Sequence, residues 1–292
     1  MTRKLFFAVF PSLENYHSEA NEVDESVYPW VGKVVHSPHH DYPVVCTASC
    51  IDNNIFITSA RCLFSLRPLY TRVFYNGNSF SAKAFVTPSN VTRQSFDDIG
   101  FIIVLSNDSY TREWATIDIY NERRTDDTYY WFAEYLRIRG PGDHIAVGWT
   151  VHKTQHKIKK PRTQYKLTAL EIVLGLDLCA EIFTVNFKIK GFYVPCYFGC
   201  DIKEFRANDT KCERAHGAEG GAIVNTKTNM LLGVATWGAY YQKRELPLGF
   251  SVANSDNFFK DKKCAINIRN DNERNPPSNY LQSLCPEEDG KR

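Results

Sequence analysis

His216 lies three residues before Glu219, and a histidine beside a carboxylate is a common pair for moving protons. With no nucleophile or metal set beside it, the pair is expected to be a surface histidine and its neighbour. His36, His39 and His40 precede Asp41 but lack the regular ligand spacing of a zinc or copper site, so no metal is expected. The segment 151–168 carries Lys153, Lys157, Lys159, Lys160, Arg162 and Lys166 together with His152 and His156, and no acid. Such a loop is either a solvated surface or an attractor for sulfated glycans, phosphates or an acidic protein face. No phosphate-cradling glycine loop, paired CxxC zinc motif or nucleic-acid motif occurs, so neither a cofactor nor a nucleic-acid partner is expected.

Nine cysteines against two methionines in 292 residues suggest disulfides and an oxidising compartment, and the odd count leaves one thiol unpaired or intermolecular. Cys50, in an apolar strand, is expected to be a buried free thiol, protonated and unreactive. Sequons at Asn90, Asn107 and Asn208 are glycan acceptors on the secretory route. Arg3 and Lys4, the run Leu5 to Leu13 and the small-x-small site Ser18-Glu19-Ala20 read as a signal peptide over residues 1–20. These features together predict a secreted, extracellular protein.

The elements that must position any site are short and β-rich. The chain is 43% hydrophobic and 23% charged, with a net charge of +2. That composition excludes disorder and a polyanion-coating protein. The longest apolar stretch, Ile99 to Leu105, is too short to span a membrane. Strands are predicted at Trp30–Val35, Val44–Ile51, Ile55–Ser59, Thr71–Tyr75, Ser81–Val86, Ile99–Leu105, Ile145–Trp149, Leu167–Leu174, Gly221–Val224 and Leu231–Trp237, separated by turn signals. The polar stretch Tyr120 to Gly142 reads as a crossover between two lobes. A short helix is expected over 254–263, capped by Asn254 or Ser255, followed by a polar tail, 264–292.

Cys46-Thr-Ala-Ser-Cys-Ile and Ile55-Phe-Ile-Thr-Ser-Ala-Arg-Cys62 resemble paired segments of the chymotrypsin-like (trypsin-like, S1) serine proteases, Cys-Gly-Gly-Ser-Leu-Ile and Trp-Val-Leu-Thr-Ala-Ala-His-Cys. The resemblance continues in order through Asp98-Ile-Gly-Phe-Ile, Val147-Gly-Trp149, Gly217-Ala-Glu-Gly-Gly-Ala222 and Thr236-Trp-Gly238. It implies an all-β fold, a double six-stranded β-barrel with a short C-terminal helix. The S1-like domain would span 21–263, with one barrel over about 23–120, the crossover at 121–142, the second barrel over about 143–253 and the helix after it.

The residues at the matched positions do not suit the family's chemistry. Acyl transfer by this route needs a hydroxyl nucleophile, a proton-shuttling base and an orienting carboxylate. The nucleophile position holds Glu219 and the base position Arg61, whose guanidinium stays protonated. Asp98 alone is retained. Loss of triad members costs on the order of 10⁴ to 10⁶ in rate. The activation switch is gone as well: Ala218 stands where an Asp would receive a new N-terminus, and residues 17–27 contain no Ile-Val-Gly-Gly-like segment. The resemblance puts Thr210, Leu248, Thr236, Trp237 and Gly238 around the specificity pocket, with Leu248 replacing a wall glycine and partly filling it. Arg61 is expected between Asp98 and Glu219, its fork able to bond either carboxylate or to turn to solvent.

The resemblance also implies a Cys46–Cys62 disulfide and pairs Cys179 with Cys196 or Cys200. Cys212 has lost its usual partner and is left with the other of those two or with Cys264, while Cys264–Cys285 would tether the tail. The expectation is therefore a catalytically inactive serine protease homologue, a secreted binding, cofactor or regulatory protein in an extracellular proteolytic or defence pathway. Its partner would be an extracellular protein, such as a protease-cascade component. The alternatives are an anionic-glycan binder acting through the 151–168 loop, and a serine-type endopeptidase.

Overall fold

A computed structural model describes residues 21–36, 44–64, 66–88, 98–105, 112–121, 127–152, 164–176, 195–199, 203, 206, 219–237, 240–241, 244–245 and 248–270. Alternation sets the first barrel. In β5 (Thr71–Tyr75) residues 71, 73 and 75 are buried and residues 72 and 74 exposed, the two-residue period of a strand with one face on a core. Hydrogen bonding closes β2 (Val31–His36), β3 (Val44–Asp52), β4 (Ile55–Ser59), β7 (Ile99–Val104), β6 (Asn78–Val86) and β5 into a ring in that order. β4 and β7 are buried at every position, so their outward faces are covered too.

The second barrel uses β8 (His144–His152), β9 (Gln164–Gly175), β10 (Cys196–Phe198), β11 (Ala222–Asn225), β12 (Met230–Trp237) and β15 (Leu248–Val252). The order β9-β10-β15-β12-β11-β8 closes through a β8–β9 ladder, and the short β1 (Asn21–Glu22) pairs outside β9. A small hairpin, β13 (Tyr240–Tyr241) with β14 (Arg244–Glu245), stands apart. The fold is thus two closed six-stranded antiparallel barrels with a C-terminal helix.

Two helices depart from expectation. Residues 121–142 contain α2 (Thr128–Arg139), which follows the five-residue α1 (Ala60–Phe64). Asp127 caps α2, accepting from Tyr129 N at 2.8 Å and Tyr130 N at 3.1 Å, and Gly140 ends it at φ 79°. Its buried stripe is Trp131, Phe132 and Tyr135, and the Phe132 ring meets Phe250 of β15 edge-on at 5.5 Å. The other nine positions are exposed or half-buried, and six of them (Thr128, Tyr129, Tyr130, Glu134, Arg137 and Arg139) carry a polar or charged group that masks that narrow aromatic face in composition. The C-terminal helix, α3 (Asp256–Asn270), runs past the expected end at Lys263 and takes in the first residues assigned to the tail. The Ser255 hydroxyl caps it, accepting from Phe258 N at 3.0 Å. α3 packs on the first barrel: Phe258 lies 5.6 Å from Phe101, and Arg269 pairs with Asp52 at 2.9 Å. That packing explains the double burial of β7.

Candidate functional site

β4 runs into α1, and this turn delivers Arg61 to the mouth between the barrels. Asp98 immediately precedes β7, the neighbour of β4, so the two side chains meet. Arg61 N donates to Asp98 Oδ1 at 2.9 Å, and Ala60 N donates to the Asp98 carbonyl at 3.2 Å. The guanidinium Nε lies 2.8 Å from Asp98 Oδ2, an ion pair between a side chain 25% exposed and one fully buried. From the second barrel, Ser251 Oγ accepts the Asp98 backbone N–H at 3.1 Å.

Glu219 approaches from the other side, three residues before β11 begins at Ala222. Its carbonyl accepts from Thr47 N at 2.9 Å. Gly220 follows at φ 76°, and a Cβ there would overlap Thr47 O and Thr58 Oγ1. Only glycine fits both the backbone angle and the space. Thr47 is wholly buried and ties the barrels together: its hydroxyl accepts from Trp149 N at 2.8 Å, and its carbonyl accepts from Thr58 Oγ1 at 2.7 Å.

Burial raises both carboxyls. Asp98 is pushed up to about 7 because desolvation outweighs the Arg61 charge and the backbone N–H donors that oppose it. Glu219 also reaches about 7, first through burial and then through repulsion from Asp98, with Arg61 pulling the other way. Arg61 pairs with Asp98 and reaches Glu219 through its charge, and the two carboxyls repel each other and titrate as a coupled pair. The site holds one cation and two protonatable oxygen acids, with no hydroxyl or imidazole among these three side chains.

The remaining sequence candidates are spread more widely. Leu248 is buried in the second barrel's core, opposite Tyr197 across the ladder, and Thr236 is buried on β12. Trp237 ends β12 opposite Gly249. Thr210, Ala218 and Gly238 lie outside the described residues, as do Cys179, Cys200, Cys212, Cys285, Asn90, Asn107, Asn208, His39, His40 and His216. Cys46–Cys62 is a disulfide, Cys196 and Cys264 are disulfide-bonded, and Cys50 is a free, buried thiol whose pKa burial pushes up to about 12. Of the basic segment's lysines and arginine only Lys166 is described, on β9, where it forms an ion pair with Glu22 of β1; His152 ends β8 opposite Gln164. Lys153, Lys157, Lys159, Lys160 and Arg162 fall outside. His36 bonds Thr71 Oγ1 at 3.2 Å.

Sequence reasoning missed Thr47, Ser251 and a buried network at the far end of β8. There His144 Nδ1 faces the Pro141 carbonyl at 3.2 Å, so Nδ1 carries the proton and Nε2 accepts from Tyr135 OH at 2.6 Å. Asn225 Nδ2 donates to the same hydroxyl at 2.7 Å, while Asn225 Oδ1 accepts from Lys227 N and Thr228 N. Burial lowers His144 to about 4. Its ring is held neutral between α2 and β11 by Tyr135, Asn225 and the Pro141 carbonyl, none of which is bonded to Arg61, Asp98 or Glu219 among the described contacts. The aromatic residues of 128–135 were the available signal.

No family model matches the chain, and no curated protein sequence matches it. Solved structures do. The inactivated protease paralogue S-D1 of the scabies mite superimposes with a TM-score of 0.57 at 17% identity, covering 86% of this chain and 97% of the mite protein. Neuropsin, a serine protease expressed in the limbic system of mouse brain, gives 0.55 at 13% identity, covering 84% and 99%. The chain therefore has the trypsin-like serine protease fold. Among the described residues no helix is long and apolar enough to cross a membrane.

Proposed function

We propose that this chain is a non-catalytic protease homologue that works by binding, as a secreted cofactor or regulatory protein. The observation that carries the reading is Arg61 held on Asp98 by its Nε at 2.8 Å and its own backbone N–H at 2.9 Å. A guanidinium in the base position cannot accept a proton from a nucleophile, and a carboxyl at Glu219 offers no hydroxyl to acylate. The ion pair also neutralises a carboxylate that would otherwise sit buried without its histidine. The likeness to a mite protein described as inactivated fits this reading, as do three disulfide-bonded sites, which suit an oxidising compartment. A partner within an extracellular proteolytic or defence pathway follows from the fold by analogy.

The test is a fluorophosphonate probe applied to purified protein with its disulfides intact, beside active trypsin. No labelling of this chain is expected. Labelling that disappears on denaturation overturns the proposal.

A further inference from the structure

On the outer face of the first barrel, cations stand among exposed apolar side chains. β2 and β5 pair antiparallel, with Lys33 opposite Phe74 and Val35 opposite Arg72. Phe74 is 40% exposed, and Lys33 Nζ lies 5.7 Å from its ring centroid. Just before β5, a 3-10 turn (Pro68–Tyr70) presents Leu69 at 82% exposure and Tyr70 at 39%. The Tyr70 ring meets His36 of β2 edge-on at 6.2 Å, which joins the turn to the sheet. Arg67 sits close enough to His36 to depress its pKa, alongside the larger effect of burial. Arg72 remains exposed, with Nε donating to Ser79 Oγ at 2.7 Å.

The charge is one-sided. Residues 31–36 and 66–88, which supply β2, the turn, β5 and β6, contain Lys33, Arg67, Arg72 and Lys83 and no Asp or Glu. Leu69 is four-fifths exposed and Tyr70 and Phe74 about two-fifths, and apolar side chains gathered on one face, unlike ones scattered singly, mark interaction sites. Aromatic and arginine side chains together are the composition of protein-recognition patches. A purely polyanionic ligand would use the cations and leave Leu69, Tyr70 and Phe74 uncovered.

We propose that this face docks an acidic protein segment bearing an aromatic or aliphatic anchor, whose carboxylates meet Arg67 and Arg72 while its anchor covers Leu69, Tyr70 and Phe74. The surface shares no residue with Arg61, Asp98 or Glu219 and does not depend on the loss of catalysis, so probe labelling at the cleft would leave it standing.

The experiment pans a displayed library of random peptides against the full chain at about 0.15 M salt, where exposed charges beyond roughly 8 Å are screened. Enriched peptides should combine Asp or Glu with Phe, Tyr, Leu or Ile. One such peptide is then titrated by fluorescence anisotropy. Arg67→Glu with Arg72→Glu should weaken it at least tenfold, and Leu69→Ser with Phe74→Ser at least fivefold; these are exposed positions, and unfolding curves check that each variant is folded. Enriched peptides without acidic residues, or affinity unchanged in either double variant, overturn the proposal. So does a heparin fragment that displaces the peptide and binds the Leu69→Ser, Phe74→Ser protein as tightly as the original, since that would make the face a polyanion site.

Discussion

Glu219→Gln isolates the electrostatic cost of the altered cleft. Glutamine keeps the shape of the protonated acid, so the change acts only where Glu219 would ionise. In the folded chain Glu219 titrates near 7 against an ordinary 4.5. Between those values the native state binds more protons than the unfolded state, and stability falls as pH rises. At about 1.4 kcal/mol per pH unit the rise caps the loss at about 3 kcal/mol by pH 8. Glu219 keeps partial contact with solvent, so about 1–2 kcal/mol is the expected figure after screening. Asp98, raised from 3.8 to about 7, acts in the same direction. His144, lowered from 6.5 to about 4, acts in the opposite one: its native form binds fewer protons, and it destabilises the fold as pH drops through 6.5 toward 4. A wild-type profile alone therefore mixes opposing slopes, whereas the difference between variant and wild type cancels His144. Urea unfolding followed by tryptophan fluorescence, with disulfides intact, reads that difference. Glu219→Gln should match wild type near pH 4.5 and exceed it by about 1–2 kcal/mol at pH 8. An offset of the same size at both pH values would show that the carboxyl is not held protonated by burial and Asp98, and the electrostatic account of the site would fail.

Removing the cation should do the reverse. Arg61→Met leaves Asp98 buried without its ion pair and should cost about 3–5 kcal/mol at pH 8 and clearly less at pH 5, where the carboxyls are protonated; equal losses in unfolding experiments at both pH values would count against the pairing. Tyr135→Phe takes the shared hydroxyl from His144 and Asn225 and should destabilise the fold by about 1–3 kcal/mol in the same assay, an unchanged midpoint showing that the network is not satisfied as described. Restoring the family's residues through Arg61→His, Ala218→Asp and Glu219→Ser is expected to give far less peptide hydrolysis than trypsin, because residues 17–27 hold no Ile-Val-Gly-Gly-like segment to occupy the switch; robust turnover of a peptide substrate would show the switch to be dispensable here.

Most strand positions were legible because a barrel strand is a local pattern: β4 and β5 fall at Ile55–Ser59 and Thr71–Tyr75 as β-rich composition and turn signals predicted. α2 was not, since only Trp131, Phe132 and Tyr135 are fully buried and a mostly polar exterior conceals a three-residue stripe. The extra length of α3 was hidden for a related reason. Its last turns set Ala265, Ile266 and Ile268, which pack on the core, among Asn and Arg residues that read as tail, and distant partners hold them, Asp52 for Arg269 and Lys83 for the Ile268 carbonyl.

Side-chain identity fixed what Arg61 and Glu219 can each contribute. That Arg61 keeps its proton and Glu219 lacks a hydroxyl are properties of single residues, true before any folding. Which carboxylate Arg61 would choose, and that burial would bring two acids up to about 7, depended on β4 and β7 lying side by side with the second barrel closing over them through Ser251 and Thr47. The exposed face at Leu69, Tyr70 and Phe74 is tertiary in the same sense. Its members come from β2, a turn and β5, and only cross-strand pairing sets Lys33 against Phe74 and His36 beside Tyr70. Ionisation preference belongs to a side chain, but desolvation and proximity belong to the neighbours that the fold brings to it.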